Sequence, residues 1–157
     1  MPRSVEARSG RLIVGRLIPG DDLIRGLEQV CEAHGIRYAA VVFAYGSLSR
    51  ASFKMLDRPP GEERARLVPH NVESRGEFIA GQGLVCRSAQ GQRETHLHGC
   101  ISDEQARVLG GHFVPDENPV YNNMDFLLQE IVGVVLTRAY DPVTDTVEMV
   151  LEQDVAG

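Results

Sequence analysis

Three of the chain's five histidines stand close together, in His96-Leu97-His98 and in Gly110-Gly111-His112. In an extended strand alternate side chains leave the same face, so His96 and His98 project together from Cα atoms roughly 6.5–7 Å apart. Two imidazoles at that spacing can chelate one metal ion. If Arg107 to Phe113 pairs beside the histidine strand, His112 completes a facial set of three nitrogens. Such a set leaves one coordination position open to water or substrate, as catalytic rather than structural zinc sites do. Imidazole also suits copper, nickel and iron, so the donors define a class of metal before they define one metal. The plainer reading of an H-x-H pair is two surface or half-buried histidines, and spacing alone leaves both readings open.

A metal centre of this kind uses further groups to orient its ligands and to move protons. Glu77 and Asp125 are the candidate catalytic or ligand-orienting carboxylates, against the simpler role of exposed strand residues. Glu94 precedes His96 by two and shares its face, where it can ligate, orient or stay solvated. Cys100 continues that face, either approaching the metal or remaining a buried free thiol. Tyr45 and Arg16 are candidate substrate-binding residues, and Arg138 is another cation able to hold an anion; packing and ion pairing are the alternatives. His70 falls in a polar stretch as a surface residue. His34 precedes Gly35 at a helix C-terminus, where a cation is favoured.

Short strands must carry these groups. Leu12 to Ile18 reads as a strand ended by Pro19-Gly20. Asp21 or Asp22 then caps a helix with apolar residues at Leu23, Ile24, Leu27, Val30 and Cys31, closed by Gly35. Further strands are expected over Ile36 to Tyr45 (broken at Gly46), Ala51 to Leu56, Glu77 to Arg87, Arg93 to Ser102, Arg107 to Phe113 and Val147 to Leu151. Met124 to Thr137 provides one or two more. Asp57 to Ser74, with Pro59-Pro60 and Glu62-Glu63-Arg64, reads as an exposed loop, as does Pro115 to Asn123. The expected fold class is α+β: a mainly antiparallel sheet of about seven strands flanked by helices.

Composition narrows the setting. A chain of 157 residues fits one domain, here 11–151, with a flexible N-terminus at 1–10 and a tail at 152–157. The net charge of −6 repels nucleic acid and anionic membrane, and no dense basic run offsets it. Of 16 basic residues only Lys54 is a lysine. Cys31, Cys86 and Cys100 are widely spaced without a CxxC, the opening residues lack a signal-peptide core, and no apolar run could span a bilayer. These features point to free thiols in a cytoplasmic setting.

The run His96-Leu97-His98-Gly99-Cys100-Ile101-Ser102-Asp103, followed by Val108-Leu109-Gly110-Gly111-His112-Phe113, resembles the signature of the plants-and-prokaryotes conserved (PPC) domain. Arg16-Leu17-Ile18-Pro19-Gly20-Asp21-Asp22-Leu23 resembles that family's opening strand and helix cap. Gly46-Ser47-Leu48-Ser49, Gly76-Glu77-Phe78-Ile79 and Arg138-Ala139-Tyr140-Asp141 match further family segments, so the resemblance covers about Arg11 to Leu151. It implies a mainly antiparallel sheet with helices, assembly as a homotrimer, and a Zn2+ ion on His96, His98 and His112. The fold group also includes acetolactate decarboxylase, a fold-level analogy that says little about substrate. Where many members carry Thr-x-Glu after the GGH strand, this chain has Asn122-Asn123-Met124-Asp125, which shortens the carboxylate and puts substrate choice in doubt.

Two functional expectations follow. The first is a zinc-dependent lyase or hydrolase acting on a small keto or hydroxy acid, because three neutral imidazoles leave the metal charge uncompensated. The second is a DNA-binding, regulatory or oligomerisation module without catalysis, since plant members of the family join the domain to AT-hook segments. This chain has no Arg-Gly-Arg-Pro core and no basic recognition helix, so a small-molecule ligand is favoured over direct nucleic-acid binding.

Overall fold

The computed structural model describes residues 3–58, 61 and 65–154. Along these the elements run β1 (Arg8–Leu17), α1 (Leu23–Ala33), β2 (Ala39–Leu48), β3 (Ala51–Asp57), β4 (Arg66–Val72), β5 (Gly76–Ser88), β6 (Arg93–Ser102), β7 (Val108–Phe113), β8 (Val120–Val132), β9 (Val134–Asp141) and β10 (Thr146–Gln153). All ten strands join one sheet, ordered β1-β8-β2-β5-β6-β7-β3-β4, with β9 leaving β5 and β10 pairing β9. Every pairing is antiparallel except β5 with β9.

α1 begins at Asp22, whose carboxylate accepts from the Ile24 and Arg25 amides. It ends at His34, with Gly35 at φ 65° as the left-handed residue after the cap. Its apolar stripe of Leu23, Ile24, Leu27 and Cys31 packs on one face of the sheet, with Phe53, Phe78, Phe113 and Phe126 beneath it. The other oxygen of Asp22 accepts from the Asn118 amide, which ties the helix start to the β7–β8 connection.

Several expectations are corrected. The sheet has ten strands rather than about seven, and one helix covers it among the described residues, so α+β holds only loosely. The stretch Asp57 to Ser74 is not all loop: Arg66–Val72 is a strand paired with β3, where Phe53 lies opposite His70. The alternation there is masked by exposure, because β4 lies at the end of the strand order and is exposed at most positions. Pro59-Pro60 and Glu62-Glu63-Arg64 lie outside the described residues. β2 does not break at Gly46, which pairs Phe78 on one side and Met124 on the other. β8 starts at Val120, inside the expected Pro/Asn loop, and Gly133 separates it from β9. Residues 8–10 lie in β1 and 152–153 in β10; residues 1–2 and 155–157 lie outside the described residues.

The sheet face away from α1 stays largely open. It carries Leu12, Val14, Ile18, Phe43, Tyr45 and Ile79, all exposed. At one end the β9–β10 ribbon buries a second cluster of Tyr38, Cys86, Val134 and Leu136, with Cys86 opposite Glu94 across the β5–β6 pair.

Candidate metal centre

β6 and β7 build the centre. Thr95, Leu97 and Ile101 turn inward from β6, which sends Glu94, His96, His98 and Cys100 to the open face. On β7, Gly111 and Gly110 pair Gly99 and Cys100, placing His112 directly opposite His98. The two glycines are required by close packing. A Cβ at Gly110 would collide with the Gly99 carbonyl oxygen, and one at Gly111 would sit 2.5 Å from the Lys54 carbonyl oxygen. The helix side anchors the strand: Thr95 donates to the buried Glu28 carboxylate of α1 at 3.0 Å, and Arg93 donates to the Ile36 carbonyl and to Glu32. Both contacts lie within three residues of His96 and fix where it projects.

One nitrogen from each of His96, His98 and His112 lies within 4.8 Å of the other two. The His96 and His98 Nε2 atoms are 2.9 Å apart, and the three ring centroids are separated by 4.8–5.3 Å. Nitrogens bound at about 2.0–2.1 Å to one tetrahedral ion stand roughly 3.3 Å apart, so this set converges at the right scale for a first-row metal. His98 is exposed and the other two are half-buried, which leaves the open side toward solvent. Partial burial pushes the His96 imidazolium down to about 4, aided by the charges of Arg138 and His98. Burial likewise brings His112 down to about 4, with contributions from His96, Arg138, His98 and Lys54. Both rings are therefore neutral near pH 7, the protonation state that ligates metal. By number, charge state and convergence the donor set fits a metal ion.

Glu94 is held by Arg138, whose Nε lies 3.2 Å from Glu94 Oε1 and whose Nη2 donates to the Val147 carbonyl. The Arg138 side chain is 8% exposed, and its Nε makes no aligned hydrogen bond. Lys54 faces His112 across the β3–β7 pair. Its one signal in sequence is that it is the sole lysine.

The other sequence candidates lie elsewhere in the chain. Arg16, Asp125 and Tyr45 form one cross-strand row on β1, β8 and β2, with Arg16 Nε 2.6 Å from Asp125 and Tyr45 stacked on Phe43 at 5.6 Å. The Arg16 bond holds the Asp125 carboxyl below its usual range. Two strands, β2 and β5, separate Asp125 from the histidines. Glu77 pairs Ser102 at the far end of β5 and lines a cleft of about 310 Å³ with Ser47, Arg75, Asp103 and Tyr121. His70 stacks on Phe53 at 6.1 Å. Cys100 stays outside the nitrogen cluster, with Sγ 4.0 Å from the Ala80 carbonyl. Burial raises the thiols of Cys31 to about 11 and Cys86 to about 12, and all three cysteines are free.

Known proteins agree with this architecture. A metal-containing protein from Archaeoglobus fulgidus superposes with a TM-score of 0.80 at 22% identity, covering 95% of this chain and 99% of that one. A plant- and prokaryote-conserved protein from Pyrococcus horikoshii gives 0.75 at 21% identity, covering 98% and 99%. A Ralstonia eutropha protein provisionally called DNA-binding gives 0.67 at 22% identity, covering 90% of each chain. In sequence, the bifunctional protein GlmU of Synechococcus sp. (strain JA-3-3Ab) is 28% identical over 152 residues, 97% of this chain. The chain spans about a fifth of the length of the curated relatives it matches, 22% in that case. The family model of the Plants and Prokaryotes Conserved (PCC) domain matches residues 4–132, so the chain belongs to that family.

Proposed function

We propose that the chain is a zinc-binding domain whose open sheet face works on a small keto or hydroxy acid, as a lyase or hydrolase. The carrying observation is the convergence of three imidazole nitrogens within 4.8 Å on a solvent-facing strand pair. Bound zinc would supply Lewis-acid polarisation of a carbonyl and a more acidic bound water. The chain's own residues do the rest. His96, His98 and His112 hold the ion, and the α1 contacts at Arg93 and Thr95 keep β6 in place. Glu94, steered by Arg138, is the carboxylate beside the triad within one protomer, and we assign it proton transfer.

The exposed apolar residues Leu12, Val14, Ile18, Phe43 and Ile79 support assembly through the open face, for which we propose a homotrimer. The Arg16–Asp125–Tyr45 row lies on that face and is available there to complete a neighbouring protomer's site, with Asp125 as a catalytic group and Arg16 and Tyr45 as substrate contacts. Glu77, on its own cleft, is the second carboxylate assigned to such a site. Three free thiols are consistent with a cytoplasmic setting.

DNA binding is the second reading, supported by the provisional names of two structural neighbours. The net charge of −6 opposes it. Metal per protomer, measured for wild type and His98→Ala with light scattering for mass, tests the first reading. One equivalent of zinc is expected in the wild type, with loss in the variant and turnover of a small carbonyl acid. A wild type that holds no metal overturns it, and tight, salt-dependent duplex binding by metal-free protein supports the second.

A further inference from the structure

The open face has a charge pattern that the triad does not explain. Lys54, His112, His98 and Gln82 lie directly opposite one another on β3, β7, β6 and β5, forming one row across four strands. Residues opposite each other in antiparallel pairs share a face, with Cβ atoms about 4.5–5.5 Å apart. The Lys54 side chain therefore stands beside the His112 ring, on the side of the triad remote from Arg138. It is exposed, and no carboxylate among the described residues pairs with it. Seven arginines elsewhere in the fold contrast with it: Arg11, Arg16, Arg25, Arg37, Arg93, Arg107 and Arg138 each hold a carboxylate.

An ammonium with no carboxylate partner among the described residues, set next to three imidazoles in a chain of net charge −6, creates a local field opposite in sign to that of the whole molecule. Arg138 adds a second, buried cation whose charge reaches His96 and His112 and whose Nε is not consumed by an aligned bond. Glu94 balances only one of the two cations. A metal ion on the triad would add further positive charge. The surface around the triad thus attracts anions, and the ammonium is the flexible, solvent-reaching member able to follow a ligand's charge.

We infer that Lys54 is the specificity-determining residue of the metal centre, holding the carboxylate of a small acid bound against the histidine triad. This rests on the metal-site reading above. It excludes neutral carbonyl compounds of the same shape as good ligands, because they leave the ammonium without a counter-charge.

The test uses the whole chain loaded with Co2+, with glycolate and its neutral isostere glycolamide as probes. Metal stoichiometry is measured first, and ligand affinity next, by calorimetry and by the Co2+ visible spectrum. Wild type is expected to bind glycolate at least about tenfold tighter than glycolamide, from a charge-assisted hydrogen bond. Lys54→Gln is expected to lose that preference with full Co2+ content, and Lys54→Arg to keep most of it. If Lys54→Gln retains wild-type glycolate affinity, or metal-loaded wild type fails to prefer glycolate, the Lys54 assignment falls and the metal site stands. If wild type takes up no Co2+, both fall together.

Discussion

Gly99 connects the core to the metal centre, and Gly99→Ala tests that connection. Gly99 follows His98 directly, on the inward side of β6. A Cβ there would lie 2.5 Å and 2.7 Å from Phe78 ring carbons and 2.8 Å from the Ala80 carbonyl oxygen. Ordinary carbon contacts need about 3.5 Å or more, so something must move by about 1 Å. Phe78 has little room to move, being 1% exposed and packed edge-on against Phe113 at 5.0 Å, which in turn meets Phe53 at 5.5 Å. Overpacking of this kind costs about 1–3 kcal/mol and removing a strand glycine returns about 0.5–1 kcal/mol, a net of roughly 0–2.5 kcal/mol, of which so confined a neighbour favours the upper part, roughly 1–2 kcal/mol of destabilisation. For a chain of this length that lowers Tm by roughly 2–8 °C. Any displacement of β6 at Gly99 carries the adjacent His98 with it, because close-packed interiors transmit strain along the chain. Metal ligation tolerates only about 0.2 Å, and metal affinity should fall at least about tenfold. Calorimetric melting with a Co2+ titration reads both effects. Phe78→Leu in the same chain reopens the space, so the pair should couple by more than about 0.5 kcal/mol and recover metal affinity. Melting within about 1 °C of wild type, with unchanged metal binding, would refute the link between aromatic core and metal site.

Further expectations concern the ligands, the acid range and the core. His112→Ala should remove stoichiometric metal, and a chelator that lowers the Tm of metal-loaded wild type should leave this variant unmoved. In metal-free protein, His96 and His112 have folded values near 4 against an ordinary 6.5, so folding favours their neutral forms. Their contribution is complete above pH about 6.5 and is lost as pH falls toward about 4. Urea midpoints of the apo protein should therefore drop over that window, and more shallowly in His112→Ala. Asn118 is fully buried, accepting from the Ser52 amide and donating to the Val114 carbonyl. Asn118→Ala strands both groups and should cost at least about 2 kcal/mol by urea denaturation, with metal stoichiometry retained.

The sequence by itself determined the local parts of this protein. An aspartate cap at Asp21 or Asp22, Gly35 after the helix and the alternation of β6 are written in residues a few positions apart, and such short-range rules need no tertiary context; the structure chose Asp22. The H-x-H pair shared a face for the same reason. His112 was legible only as a candidate, because joining β7 to β6 is a pairing between segments, made possible by the close approach at Gly110-Gly111. Tertiary structure alone decided the surroundings. β4 was hidden because an exposed strand at the end of the order lacks the buried alternation that marks one in sequence. Glu94 met Arg138 because the β9–β10 ribbon packs beside the histidine face, a contact between strands distant in the chain. Lys54 came to stand beside His112 through the β3–β7 register, while Asp125 and Glu77 were carried to other parts of the sheet. Spacing reveals which side chains share an element, whereas strand order decides which elements become neighbours, and this site depends on that order.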